Sequence, residues 1–518
     1  MPLRRKRGAG QVTWIVGIAL VSSLGLAGCG NGAAPPAGRQ AADAPVSTTP
    51  PQSSGRPQRR SPSDPPSQVP ADDGQGFEQP IFWPRDDPGD GNADNDETAA
   101  TANDRPAASP VKRAIDPEKL AAVGIRRIDG ERLTLYTDLP ANAEIDSLCQ
   151  AFDQCYAQWR QYFGLDVEPA VPWRATGYLM RDVERFKAAG LWDAALPSFQ
   201  NGYSLGHEFW LYDQPSAYYR RHLLLHEGTH CLMHTRLPAQ PTPAWHFEGL
   251  AELFGTHAWR DGQLTARYFP RDRQEVPLWG RIKIVKEAYE RREALPLTEV
   301  LNAGPRAHLD NEPYGWCWSL SAFLDGHPRY RERFRALACV PGSEFPARFR
   351  AAYEPDWDDL QEEWQVFIGG IEYGYDLERT AIDFAAGQPL PDAGGEAAIA
   401  ADRGWQPSGY RLEAGQSYEL TALGRYQVDD EPEVWWCEPN GVSIRYYDEA
   451  PLGILRAAVR PDRHDPAALS ALLQPDNVGL SYRLTPTESG TLYLRINDSG
   501  AELSDNAGTL TVRIEAVE

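Results

Sequence analysis

The segment that most constrains this chain is LLLHEGTHCLM, from Leu223 to Met233. Apolar residues flank an H-E-x-x-H pattern, and the stretch reads as helix over Tyr218 to Leu232. Four-residue spacing on a helix sets the imidazoles of His226 and His230 on one face, one turn apart, where both can hold the same zinc ion. Glu227, beside the first histidine, can then reach a water on that ion. Such spacing implies the chemistry of metal-assisted hydrolysis.

A catalytic zinc usually takes three protein ligands and keeps one position for water. The third candidate lies downstream in PAWHFEGLAE, from Pro243 to Glu252. Glu248 falls near the start of a second helix and can ligate the ion. Glu252 lies one turn further along the same face. A carboxylate there can accept a hydrogen bond from the free ring nitrogen of His226 or His230, which fixes tautomer and ring orientation.

The two parts, HEGTH and WHFEGLAE, are separated by 17 residues between His230 and Glu248. Together they resemble the H-E-x-x-H and W-x-x-E-G-x-A pattern of the gluzincin metallopeptidases. In this compact form the chain looks most like exported bacterial HExxH proteins of uncharacterised substrate. The resemblance covers about residues 113–377, and its specific part is Leu223 to Thr256. It implies an α+β, zincin-like metallopeptidase domain that acts on a peptide or protein. Zinc would be held by His226, His230 and Glu248, with Glu227 as the base.

On that reading zinc lowers the pKa of its water toward about 7. Glu227 takes the proton and can later pass it to the leaving amine. The oxyanion that develops needs a further donor, which gluzincins often supply as a tyrosine or histidine. Tyr314, in EPYGWCW at the start of a later helix, loosely matches that role and equally reads as a packing residue. Tyr203 and Tyr212, on an expected edge strand, are expected nearer the substrate than the metal. His222 and His234 extend the motif's face by a turn each way, but neither has a place in a gluzincin site. With His246 they read as structural or surface groups. Gly206-His207-Glu208 lacks a second histidine and reads as part of a strand.

The N-terminus carries an address. Arg4, Arg5, Lys6 and Arg7 precede an apolar stretch, Val12 to Leu26, too short for a typical spanning helix. Leu26-Ala27-Gly28-Cys29 then resembles the lipobox of bacterial lipoproteins, followed by Gly30. The resemblance implies a signal segment over residues 1–29 and anchorage in the cell envelope through a lipid on Cys29, the only membrane contact. An ordinary cleaved signal peptide is the alternative. Residues 30–112, rich in Pro, Ala, Ser, Gly and Asp without apolar periodicity, are expected as a disordered tether. Within it, Asp86 to Glu97 echoes an EF-hand loop. Pro88 replaces one ligand and no amphipathic helix flanks the run, so a solvated linker is the better reading.

An exported chain permits disulfides among Cys149, Cys155, Cys231, Cys317, Cys339 and Cys437. The net charge of -22 argues against nucleic acid as a partner.

From Gln406 to Glu518, strand-like runs alternate with turn residues: Tyr410 to Leu412, Ser417 to Leu423, Val442 to Tyr447, Gly479 to Leu484, Thr491 to Ile496 and Thr509 to Ile514. That is the pattern of a small all-β sandwich, expected over 378–518. The last two runs enclose NDSGAELSDNAG, Asn497 to Gly508, whose clustered hard oxygens suit calcium. The loop resembles that of small galactophilic bacterial lectins, which implies a lectin-like, galactose-binding-like fold and a glycan partner. Asp498, Asp505 and Asn506 would then ligate calcium by side chain and Glu502 by its carbonyl, with a carbonyl near Val428 completing the shell. Asp505 stands where that family has asparagine, and the sugar-contacting segment is not recognisable between Val428 and Val459. A hairpin turn that binds nothing is the other reading.

A different class competes for the whole chain: a non-catalytic cell-surface binding or adhesion protein that retains a zinc site. The intact Glu227 counts against it.

Overall fold

A computed structural model describes residues 115–518, apart from 168, 194–195, 239–241, 304–310, 464 and 466–467. The expected signal segment, Cys29, the tether and the Asp86–Glu97 run lie outside the described residues. The described chain has an α+β N-terminal region followed by an all-β, sandwich-like region.

The first region is built on a five-stranded sheet. β1 (Arg126–Asp129) and β2 (Leu133–Thr137) form a hairpin. β3 (Ala175–Met180), β4 (Gly202–Leu205) and β5 (Glu208–Tyr212) complete the order β1-β2-β3-β5-β4. The central strands β2, β3 and β5 are parallel, and β4 closes one edge antiparallel to β5. Tyr203 to Tyr212, expected as one strand, is therefore a hairpin. Gly206, with φ of +61°, and His207 turn the chain back. Glycine reaches that left-handed geometry without strain, and the two-residue turn hides inside an otherwise continuous strand pattern.

Strand periodicity divides the sheet's two faces. Leu133, Leu135, Phe209 and Leu211 enter one core, while Tyr136, Tyr178, Met180 and Trp210 enter another. Helices α1 (Leu148–Tyr162) and α2 (Ala217–Arg236) carry side chains into the first of these cores. Ser216 caps α2 by accepting from the Tyr219 amide. From Arg221 to Met233 every residue of α2 is buried. Gly228 makes that possible, because a β-carbon there would stand 2.4 Å from the Phe152 ring and 2.9 Å from Trp159.

Helix α3 (Ala244–Gly255) packs on α2, and α4 (Arg281–Glu290) and α5 (Asn311–Gly326) close the group from the other side. Gly249 lets α3 and α5 touch, since a β-carbon would meet Ser321 Oγ at 2.1 Å. A short helix, Ala143–Asp146, precedes α1 and is separated from it at Ser147.

Beyond α6 (Trp357–Gly370) the chain is all β. One sheet contains Asn440–Tyr447, Ala450–Pro461, Gly490–Ile496 and Gln406–Leu412; the facing sheet contains Ser481–Leu484, Ser417–Leu423, Thr509–Val517 and Gly395–Ala400. Leu455, Leu492 and Leu494 meet Ile399, Leu420 and Val512 between them. Ala450–Pro461 is the longest strand among the described residues, and Pro451, Gly453 and Pro461 interrupt its alternating pattern.

Buried carboxylates of α6 join the two regions. Glu362 accepts from Arg460 Nε and Ser470 Oγ, both at 2.7 Å. Glu363 accepts from His327 Nε2 at 2.8 Å and from Tyr330 Oη and the Ile382 amide at 2.7 Å. The six described cysteines are all free thiols. Among the described residues no helix is long and apolar enough to cross a membrane.

Candidate metal centre

Helices α2 and α3 bring His226, His230 and Glu248 together, with one ligand atom from each inside a 4.8 Å cluster. The two Nε2 atoms are 3.1 Å apart. Glu248 Oε2 lies 3.4 Å from that of His226 and 3.3 Å from that of His230. Phe247 stacks on His230 with ring centroids 4.3 Å apart, and Tyr314 on α5 meets His226 edge-on at 6.0 Å. Glu252, one turn beyond Glu248, puts Oε1 3.3 Å from His226 Nδ1.

These residues fit a cation. The two Nε2 atoms face each other at 3.1 Å, so a proton or a metal ion can lie between them. Glu248 Oε2 is buried beside both without hydrogen-bond geometry to either. Two imidazole nitrogens and a carboxylate oxygen are the donor set of a catalytic zinc site, with a fourth position left over.

The electrostatics agree. Burial pulls the His226 imidazole down, but Glu248 and Glu252 outweigh it and lift it to about 10. Burial raises the Glu248 carboxyl, yet His230 and His226 hold it well below the ordinary carboxylate range. The site therefore stabilises positive charge, whether a proton or a metal carries it. Glu227 is only 6 % exposed, and burial raises its carboxyl against the pull of His226 and His230.

Burial, followed by the nearby carboxylates of Glu248, Glu227 and Glu252, pushes the Tyr314 phenol well above its ordinary range, so it stays a donor. The Arg281 guanidinium lies over its ring at 5.3 Å. Burial lowers His234 to about 4 and His246 to about 3. Both lie outside the cluster. His222 is different: it joins His226 and Glu252 in a second gathered set.

Three groups at this site carried no signal in the sequence. Gly202 on β4 faces Glu227, where a β-carbon would stand 2.6 Å from Oε1. Ser204, two residues on and so on the same strand face, favours the charged form of Glu227. Arg281 reaches Glu252 from α4. The same alternation corrects Tyr203 and Tyr212. They lie on the opposite face of the sheet from Gly202 and Ser204, against Phe199 at 5.9 and 5.2 Å.

In the β region Asn497, Asp498, Asp505 and Asn506 are buried. Asn506 Nδ2 donates to the Ala401 carbonyl at 3.1 Å, while its Oδ1 is buried with no hydrogen-bond partner. Asp505 gathers with Asp429 and Asp430, neither of which the sequence singled out. Arg445 Nη1 lies 2.7 Å from Asp429 Oδ2 and neutralises part of that charge. Glu502 precedes a short turn of helix over Leu503–Asp505.

No family model matches this chain, and no curated protein matches it. Among solved structures, a PllA-like lectin, the EclA N-terminal domain, is 22% identical with a TM-score of 0.18, covering 24% of this chain and 95% of that one. The metallopeptidase IMPa from Pseudomonas aeruginosa is 12% identical with a TM-score of 0.15, covering 74% of this chain and 46% of that one. A complex of IMPa metallopeptidase with T-antigen is 12% identical with a TM-score of 0.16, covering 73% and 38%. This chain thus spans less than half the length of that metallopeptidase. Likenesses this slight carry no argument about activity.

Removing a donor tests the site. The purified chain is expected to retain one zinc through dialysis, measured by atomic absorption. His230→Ala and Glu248→Ala should each lower its affinity by more than about a hundredfold, beyond the loss typical of residues that only orient ligands. Unchanged zinc content in both variants would remove the site from consideration.

Proposed function

We propose that this protein is a zinc-dependent peptidase of the gluzincin type. The observation that carries the reading is the gathering of His226, His230 and Glu248 with Glu227 alongside, all on two packed helices. When bound by those three residues, zinc supplies a Lewis acid for the scissile carbonyl and acidifies water.

The remaining chemistry falls to the chain's own groups. Glu227 accepts the proton of the attacking water and returns it to the leaving amine. Its burial raises its basicity, which suits a base near neutral pH. Gly202 leaves room for its carboxylate, and Ser204 favours its charged form. Tyr314 keeps its proton and donates to the developing oxyanion. Glu252 orients the His226 ring.

A peptide library read by mass spectrometry tests this. Glu227→Gln should keep zinc and lose hydrolysis by about 10²- to 10⁴-fold, and Tyr314→Phe should lower turnover about a hundredfold. Zinc bound by a wild type that cleaves nothing would favour a binding protein over an enzyme.

The β region is proposed as a calcium-dependent module that attaches the enzyme to a glycan-bearing surface. The buried Asp505 and Asn506, with Asp429 and Asp430 nearby, support a cation there. Calcium should raise the midpoint of thermal unfolding of the wild type but not of Asp505→Ala, and glycan-array binding should depend on calcium. Equal unfolding and equal glycan binding with calcium and with chelator would reject the module's role.

A further inference from the structure

The carboxylate of Glu252 is met from three sides. Its Oε1 lies 3.3 Å from His226 Nδ1, 3.4 Å from His222 Nε2 and 3.0 Å from Arg281 Nη2. Its Oε2 accepts Arg281 Nε at 2.9 Å. All four residues are buried. His222, His226 and Glu252 thus make a second set of metal-competent atoms that shares His226 with the first.

The two sets compete for opposite nitrogens of one ring. The His230–Glu248 set uses Nε2 of His226, and the His222–Glu252 set uses Nδ1. A neutral imidazole has one lone pair, so a hydrogen on Nδ1 leaves Nε2 free to ligate. What separates the two sets is Arg281. Its guanidinium keeps its charge at any working pH and grips both oxygens of Glu252.

Resting on the zinc reading above, we propose that Arg281 is a positioning residue for the metal centre. It occupies the His222–His226–Glu252 set as a resident cation and denies that set to a metal. Glu252 is thereby held as a carboxylate 3.3 Å from His226 Nδ1, which favours the proton on that nitrogen and commits Nε2 to the site with His230 and Glu248. His222 is the group that gains a metal if Arg281 is removed.

Metal binding by the full chain tests this without any substrate. Zinc competition against a chromophoric chelator gives affinity and stoichiometry, and cobalt(II) absorption reports the ligand set. The wild type should bind one metal. Arg281→Met should bind one metal about 10- to 100-fold more weakly and show an altered cobalt spectrum, and adding His222→Phe to it should remove that alteration. Arg281→Lys, which keeps the charge, should recover much of the wild-type affinity. Arg281→Gln serves as the uncharged variant if Arg281→Met does not fold by circular dichroism. A folded uncharged variant with wild-type affinity, stoichiometry and spectrum would overturn the inference alone. A wild type that binds no zinc, or binds it equally after His230→Ala, would overturn the zinc reading and this inference together.

Discussion

Carrying two histidines into the interior as carriers of positive charge costs desolvation that nearby opposite charge offsets. Helix α3 supplies that charge as Glu248 and Glu252, one turn apart and both facing the imidazoles of α2. Glu252 is itself buried and needs its own counter-charge, which Arg281 provides from α4. Tyr314 on α5 completes the enclosure against His226 and Arg281. The α2–α3 contact therefore fixes which helices must surround it.

The sheet sets the other wall. β4 is an edge strand, so it can lay Gly202 and Ser204 over Glu227 while its alternate residues pack away on the far face. Gly228 serves the opposite side of the same helix by letting Phe152 and Trp159 approach. Two glycines thus bring backbone or aromatic packing close to the motif, where any side chain would push it away.

The sequence revealed what is local and periodic. His226, Glu227, His230, Glu248 and Glu252 were legible because helical spacing is written into adjacent residues. Gly202, Ser204 and Arg281 were not, because each comes from a distant segment whose own pattern is ordinary. The same limit explains Tyr203 and Tyr212: their strand was read, but a one-residue parity decides the face, and the turn at Gly206 lay inside it. In the β region the short alternating strands were legible. Ala450–Pro461 escaped because prolines and a glycine at φ of +82° break its pattern. Asp429 and Asp430 escaped because only the fold brings them to Asp505.

The proposed zinc site rests on His226, His230 and Glu248 as its protein ligands. X-ray absorption at the zinc edge on the reconstituted full chain addresses it most directly. Zinc held by these three residues gives only nitrogen and oxygen neighbours at about 2.0–2.2 Å, with two imidazole scattering signatures, one of them lost in His230→Ala. A first shell with sulfur at about 2.3 Å, or six oxygens and no imidazole, would contradict it.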